Sequence, residues 1–86
     1  MPVSNMNAVE RIARVIAARI VSSNAEGDEA HAAGRVDATW RDYRDDALSI
    51  LRTLREPDPV MAAAGDVEIW ERMIGAALVE AEASAA

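Results

Sequence analysis

The 86-residue chain contains no cysteine, no lysine, no phenylalanine and no glutamine. Without cysteine it cannot form a disulfide bond, a thiolate metal site or a cysteine nucleophile. Positive charge is also scarce, because nine arginines stand against 15 acidic residues and the formal net charge is −6. Binding to nucleic acid through its phosphates requires excess positive charge. The composition therefore argues against direct nucleic-acid binding.

Long apolar runs are missing as well. The most apolar stretch, residues 12–21, is interrupted by Arg14 and Arg19, whereas a membrane span needs about 20 apolar residues. The N-terminus lacks the basic and apolar regions of a signal peptide. We therefore expect a cytoplasmic protein that does not bind membranes. Since 51% of its residues are hydrophobic, we also expect it to fold rather than remain disordered.

Three stretches show the 3.6-residue period of amphipathic helices, and none shows the alternation of a strand. We predict main helices over residues 8–22, 39–56 and 66–82. Each begins at a residue type that favours the helix N-cap, and these caps are Asn7, Thr39 and Asp66. On the first helix the predicted core residues are Val9, Ile12, Ala13, Ile16 and Ile20.

Two shorter segments also carry helix signals. Residues 28–33 are predicted either as a short helix that Asp28 caps and Gly34 ends, or as a loop that is helical part of the time. Residues 59–64 follow the Asp58-Pro59 pair, which is typical of an N-cap and first helical position. The pattern as a whole predicts one all-α domain, a small bundle of three main helices with one or two short helical turns.

No residue pattern points to catalysis, a metal or a cofactor. The sole histidine, His31, lies among acidic residues in the least regular segment, and the glycines form no phosphate-binding motif. Residues 24–35 begin like a calcium loop, but the sixth position is Glu29 and the twelfth is Arg35, where glycine and glutamate are needed. We expect a non-enzymatic protein without a cofactor.

The last predicted helix carries more apolar surface than one packing seam requires. Its core face holds Val67, Trp70, Ile74, Ala77, Leu78 and Ala81, and Trp70 is expected to share one core with Trp40. A second apolar stripe, about 120° away around the helix, consists of Ile69, Met73, Ala76 and Val79. This stripe either packs inside a central helix or meets a partner protein or a second copy. Small residues at Gly75 and Ala76 would then allow close helix approach.

Two glutamates on the same helix, Glu68 and Glu71, are candidates for an acidic surface that imitates nucleic-acid charge toward a basic partner. The other interpretation is an ordinary solvated helix face. Residues 57–86 hold six acidic residues and one arginine, a net charge of −5, which is compatible with both interpretations.

The central and C-terminal segments resemble small uncharacterised helical proteins encoded by phages and prophages, especially in GC-rich proteobacteria. The resemblance covers roughly residues 40–78 and is carried by Trp40-x-x-Tyr43, Ala47, Leu51, Leu54, Pro57, Met61, Gly65 and Ile69-Trp70-x-x-Met73-Ile74-x-Ala76-Ala77-Leu78. It implies a phage-associated accessory protein acting in the host cytoplasm, and it implies neither a defined activity nor a functional residue.

Three functions agree with these observations. The first is a protein–protein interaction module that binds another protein or forms a homodimer. The second is a phage-encoded inhibitor of a host nucleic-acid-binding machine, similar to an anti-CRISPR protein, that acts as an acidic charge mimic. The third is a minor virion or assembly component.

Overall fold

The computed structural model describes residues 2–24 and 29–84, and its regular elements there are all helical. In chain order they are α1 (Ala8–Asn24), α2 (Glu29–Thr39), a 3₁₀ turn (Trp40–Tyr43), α3 (Arg44–Leu54), α4 (Pro59–Ala64) and α5 (Val67–Ser84). The predicted all-α fold is confirmed. Within the described residues, no helix combines the length and the hydropathy needed to cross a bilayer.

Side-chain caps fix where three of the helices begin. The Asn7 side-chain oxygen accepts a hydrogen bond from the Glu10 backbone N–H at 2.8 Å. Asp58 and Asp66 accept the equivalent bonds at the starts of α4 and α5, at 2.9 and 3.0 Å. These bonds satisfy N–H groups that have no partner within the helix, and they confirm the predicted starts. The short helix predicted at residues 59–64 is present with those bounds.

The short helix predicted over residues 28–33 is wrong in length, because α2 runs through Gly34 to Thr39. No atom lies within 4 Å of the position a Cβ would take at Gly34, so this glycine is an exposed interior helix residue and not a C-cap. Glycine there costs about 1 kcal/mol relative to alanine. Packing of Val36 against the core offsets this cost. The predicted cap, Asp28, lies outside the described residues.

The second main helix, predicted as continuous over residues 39–56, is also corrected. Thr39 ends α2 and does not cap a new helix, since its hydroxyl donates to the Arg35 carbonyl at 2.6 Å. The chain then tightens into the 3₁₀ turn, and α3 ends at Leu54. The turn carries Trp40 into the core, where only 5% of it is exposed. Burial of this large ring explains why the chain forms a 3₁₀ turn here in place of the continuous helix predicted over residues 39–56.

Helix α1 lies at the centre of the packing and contacts α2, the 3₁₀ turn, α3 and α5. Its buried residues recur every fourth position, and Ile20, predicted in the core, lies at the surface. Small side chains at two of these positions let the neighbouring helices come close. The buried core consists of Val9, Ala13, Ala17, Val21, Trp40, Ala47, Leu51, Ile74, Leu78 and Ala81.

Candidate interaction surface

Helix α5 packs into the molecule through one face only. Ile74, Leu78 and Ala81 are buried on the side that contacts α3 and α1. The second apolar stripe points away from both helices: Ile69 is 47% exposed, Met73 63% and Val79 67%, and Ala76 is exposed too. The interpretation in which this stripe packs inside a central helix is therefore wrong for the single chain. Its role as an interface stays a prediction.

Helix α4 extends this apolar surface. It holds no buried residue, its Val60 is 80% exposed and its Met61 is half-buried. Neither residue was predicted to belong to an interface, although α4 carries only apolar side chains and therefore has no polar face to present to solvent. We use the name α4–α5 face for the surface formed by Val60, Met61, Ile69, Met73, Ala76 and Val79.

A groove of about 370 Å³ lies where α4 meets α5. Met61, Trp70 and Met73 are among the side chains that line it. The Trp70 indole N–H donates to the Leu54 carbonyl at 2.7 Å, which satisfies an acceptor at the end of α3. Trp70 is half-buried and packs against the core that contains Trp40. The hydrogen bond orients the ring, which forms an aromatic wall of the groove.

The two small residues of α5 do not share a role. A Cβ added at Gly75 would lie 3.6 Å from an Arg55 guanidinium nitrogen, so Gly75 is placed beneath that side chain. Ala76 lies on the exposed side of the helix. Of the two residues, only Ala76 belongs to the exposed stripe, and close approach of another helix there stays a prediction.

The two residues of the predicted acidic surface lie on α5 outside the α4–α5 face as defined above. Glu68 and Glu71 are both exposed, and at 100° per residue Glu71 lies about 160° around the helix from Met73. Among the described residues, no group of three or more histidine, aspartate or glutamate side chains is arranged to hold a metal ion. His31 lies in α2, and its side chain is outside the described part of the structure.

A second cluster, which was not predicted from the sequence, joins α1 to α2 around Trp40. The guanidinium groups of Arg14 and Arg41 lie over its ring, 5.3 and 4.6 Å from the centroid. Arg14 also donates to Asp37 at 2.6 Å and to Glu10 at 2.8 Å. Hydrogen bonding to Asp37, followed by that to Glu10, raises the pKa of Arg14. Only the Glu10–Arg14 pair has a sequence signal, its i,i+4 spacing.

The groove beside the α4–α5 face is concave and is lined mainly by apolar side chains. Of the described residues that line it, only Asp66 is charged, and its carboxylate already caps α5. Such a surface is suited to burial against another apolar surface.

Comparison of the chain with protein-family models, with curated proteins and with solved structures finds no match.

Proposed function

We propose that this chain is a non-enzymatic protein–protein interaction module that binds through the α4–α5 face. The observation that carries the proposal is the exposure of Val60, Ile69, Met73 and Val79 on two consecutive helices. Single exposed apolar residues are common on protein surfaces. A group of them beside a groove is typical of a binding surface.

The individual side chains of this face suit protein recognition. Met73 is flexible and polarizable, so it can adapt to an irregular partner surface. Trp70, oriented by its bond to the Leu54 carbonyl, provides an aromatic wall of the groove, and buried aromatic residues contribute strongly to interface affinity. The face and its groove therefore combine an oriented aromatic ring with an adaptable side chain.

The resemblance of residues 40–78 to phage and prophage proteins supports an accessory role during infection or lysogeny. In that role, the partner is a phage or host protein in the host cytoplasm. The chain would then act by occupying or joining proteins, and its own residues would perform no covalent chemistry.

The test compares one variant on the face with one elsewhere. Met73→Glu places a carboxylate on the face, and Val15→Glu makes the same change on α1 at a residue that is 62% exposed, close to the 63% of Met73. Each chain is immobilised, and phage and host proteins are captured and identified. We expect Met73→Glu to lose the specific partner and Val15→Glu to keep it. Equal binding by both variants would contradict the proposal.

A charge-mimic inhibitor is the second candidate, and the exposure of Glu68 and Glu71 favours it. Such binding should weaken with salt, because exposed charges are screened over about 8–10 Å. Replacing both glutamates with glutamine should slow association more than dissociation. Since these residues lie across α5 from Met73, the glutamine variant leaves the apolar face intact. Binding that is insensitive to salt and to both substitutions would reject this candidate.

A further inference from the structure

We infer that the occupant of the α4–α5 face is a second copy of this chain, in a two-fold dimer whose α5 helices cross antiparallel at Ala76. This inference rests on the proposed function, because it names the partner of the same face. Three observations carry it: the excess surface of the single chain, the small size of its core, and the distribution of residues along α5.

The single chain exposes more surface than its size requires. Its accessible surface is 6353 Å², whereas a folded monomer of 9.2 kDa exposes about 4,900 Å². Its radius of gyration is 15.1 Å, against about 12 Å for a compact chain of this length. Exposed residues 2–6 contribute to the excess of about 1,400 Å², as does the α4–α5 face. A standard interface covers about 800 Å² per partner. The excess accessible surface is larger than this area, so part of it can be an interface.

The buried core of the single chain is small, so burying the α4–α5 face would add to its stability. Among the described residues, four of the ten that are buried are alanine, which contributes far less apolar area than leucine or phenylalanine. A chain with so small a core gains stability from a partner that is always present. A second copy meets that condition, because it is made together with the first. One two-fold patch then serves both copies.

The residues along α5 favour an antiparallel crossing. Ala76 is the smallest residue of the face, so the helix backbones can approach most closely there. Met73 and Val79 lie three residues to either side, and an antiparallel pair brings each to the level of the other. The same arrangement brings Glu80 to the level of Arg72, and each helix N-terminus toward a C-terminus, which is electrostatically favourable. A parallel pair would place every glutamate at the level of its own copy.

The first measurement is the mass of the purified chain by analytical ultracentrifugation across a dilution series. We expect twice the 9.2 kDa chain mass at high concentration and dissociation on dilution. Met73→Glu should raise the dissociation constant more than about tenfold, because it would bury an unpaired carboxylate. Val15→Glu should leave it unchanged. A wild-type chain that stays monomeric throughout would overturn the inference.

The second measurement uses the absence of cysteine. In Ala76→Cys the two thiols would meet at the crossing, where helix axes about 8 Å apart bring facing Cα atoms within the roughly 7 Å reach of a disulfide. In Ala83→Cys the two thiols would be about 21 Å apart, from seven residues at 1.5 Å on each side. We expect oxidation to cross-link Ala76→Cys alone.

The outcomes separate this inference from the proposed function. Cross-linking of both cysteine variants would indicate a parallel pair, and a dimer without a link at position 76 would indicate another interface; either result overturns the arrangement. A monomeric chain that still captures a different protein in a Met73-dependent way would overturn the dimer and leave the interaction module standing. A monomer that captures nothing would refute both.

Discussion

Replacement of Trp40 with alanine tests the packing of the core most directly. The indole is 5% exposed and is in contact with α1 and two guanidinium groups. A buried tryptophan truncated to alanine costs about 3–5 kcal/mol. At about 0.05–0.15 kcal/mol per residue, a chain of this length has a total stability of about 4–13 kcal/mol. The substitution should therefore remove at least about a quarter of the free energy of unfolding, and nearly all of it at the lower end of this range.

Trp70 provides the internal comparison, because it is half-buried and keeps one hydrogen bond to the Leu54 carbonyl. Trp70→Phe removes that bond and retains most of the apolar contact, so we expect a loss of about 0.5–1.5 kcal/mol. Trp70→Ala should cost more than this and less than Trp40→Ala. The order of Trp40→Ala and Trp70→Ala follows from burial, and the smaller loss in Trp70→Phe follows from the single hydrogen bond that it removes.

Urea titrations followed by far-ultraviolet circular dichroism give the unfolding free energies. All variants must be compared at one chain concentration, because self-association makes apparent stability depend on concentration. A Trp40→Ala chain with the wild-type midpoint would refute the placement of this ring in the core. A Trp70→Ala variant less stable than Trp40→Ala would refute the relative burial of the two rings.

Two local substitutions should move stability in opposite directions. Gly34→Ala should stabilise the chain by about 0.5–1 kcal/mol, because Gly34 is inside α2 with no atom near its missing Cβ; a lower melting temperature by circular dichroism would contradict this. Asn7→Ala should destabilise it by about 1 kcal/mol, because it removes the bond to the Glu10 N–H. An unchanged melting temperature in Asn7→Ala would show that α1 does not depend on its cap.

The predictions that succeeded concern interactions within a few residues along the chain. The caps Asn7, Asp58 and Asp66 each bond to a backbone N–H three residues later, so sequence spacing is sufficient to find them. Periodicity likewise identified the buried side of α5, with the exception of Val67, which was predicted in the core and is 38% exposed.

The predictions that failed depend on packing between helices. Gly34 is compatible with a helix end or a helix interior, and contact of α2 with α1 decides between them. The 3₁₀ turn places Trp40 against α1. This contact joins residues that are far apart in the sequence, so local helix propensity does not predict it. Periodicity also showed the second stripe of α5 without showing whether another helix covers it, since that depends on how many neighbours α5 has.

The place of the candidate surface follows from the uneven distribution of the core along the chain. In the part of the chain that the structure describes, seven of the ten buried residues precede Leu54, three belong to α5, and none belongs to α4. Pro57 and Pro59 prevent α3 from continuing, and six residues are too few to form a stable helix unaided, so α4 is held by its cap and by nearby contacts. Any chain that covers the α4–α5 face therefore stabilises these helices as it binds. For a dimer through this face, the unfolding free energy should rise with chain concentration and should lose that dependence in Met73→Glu.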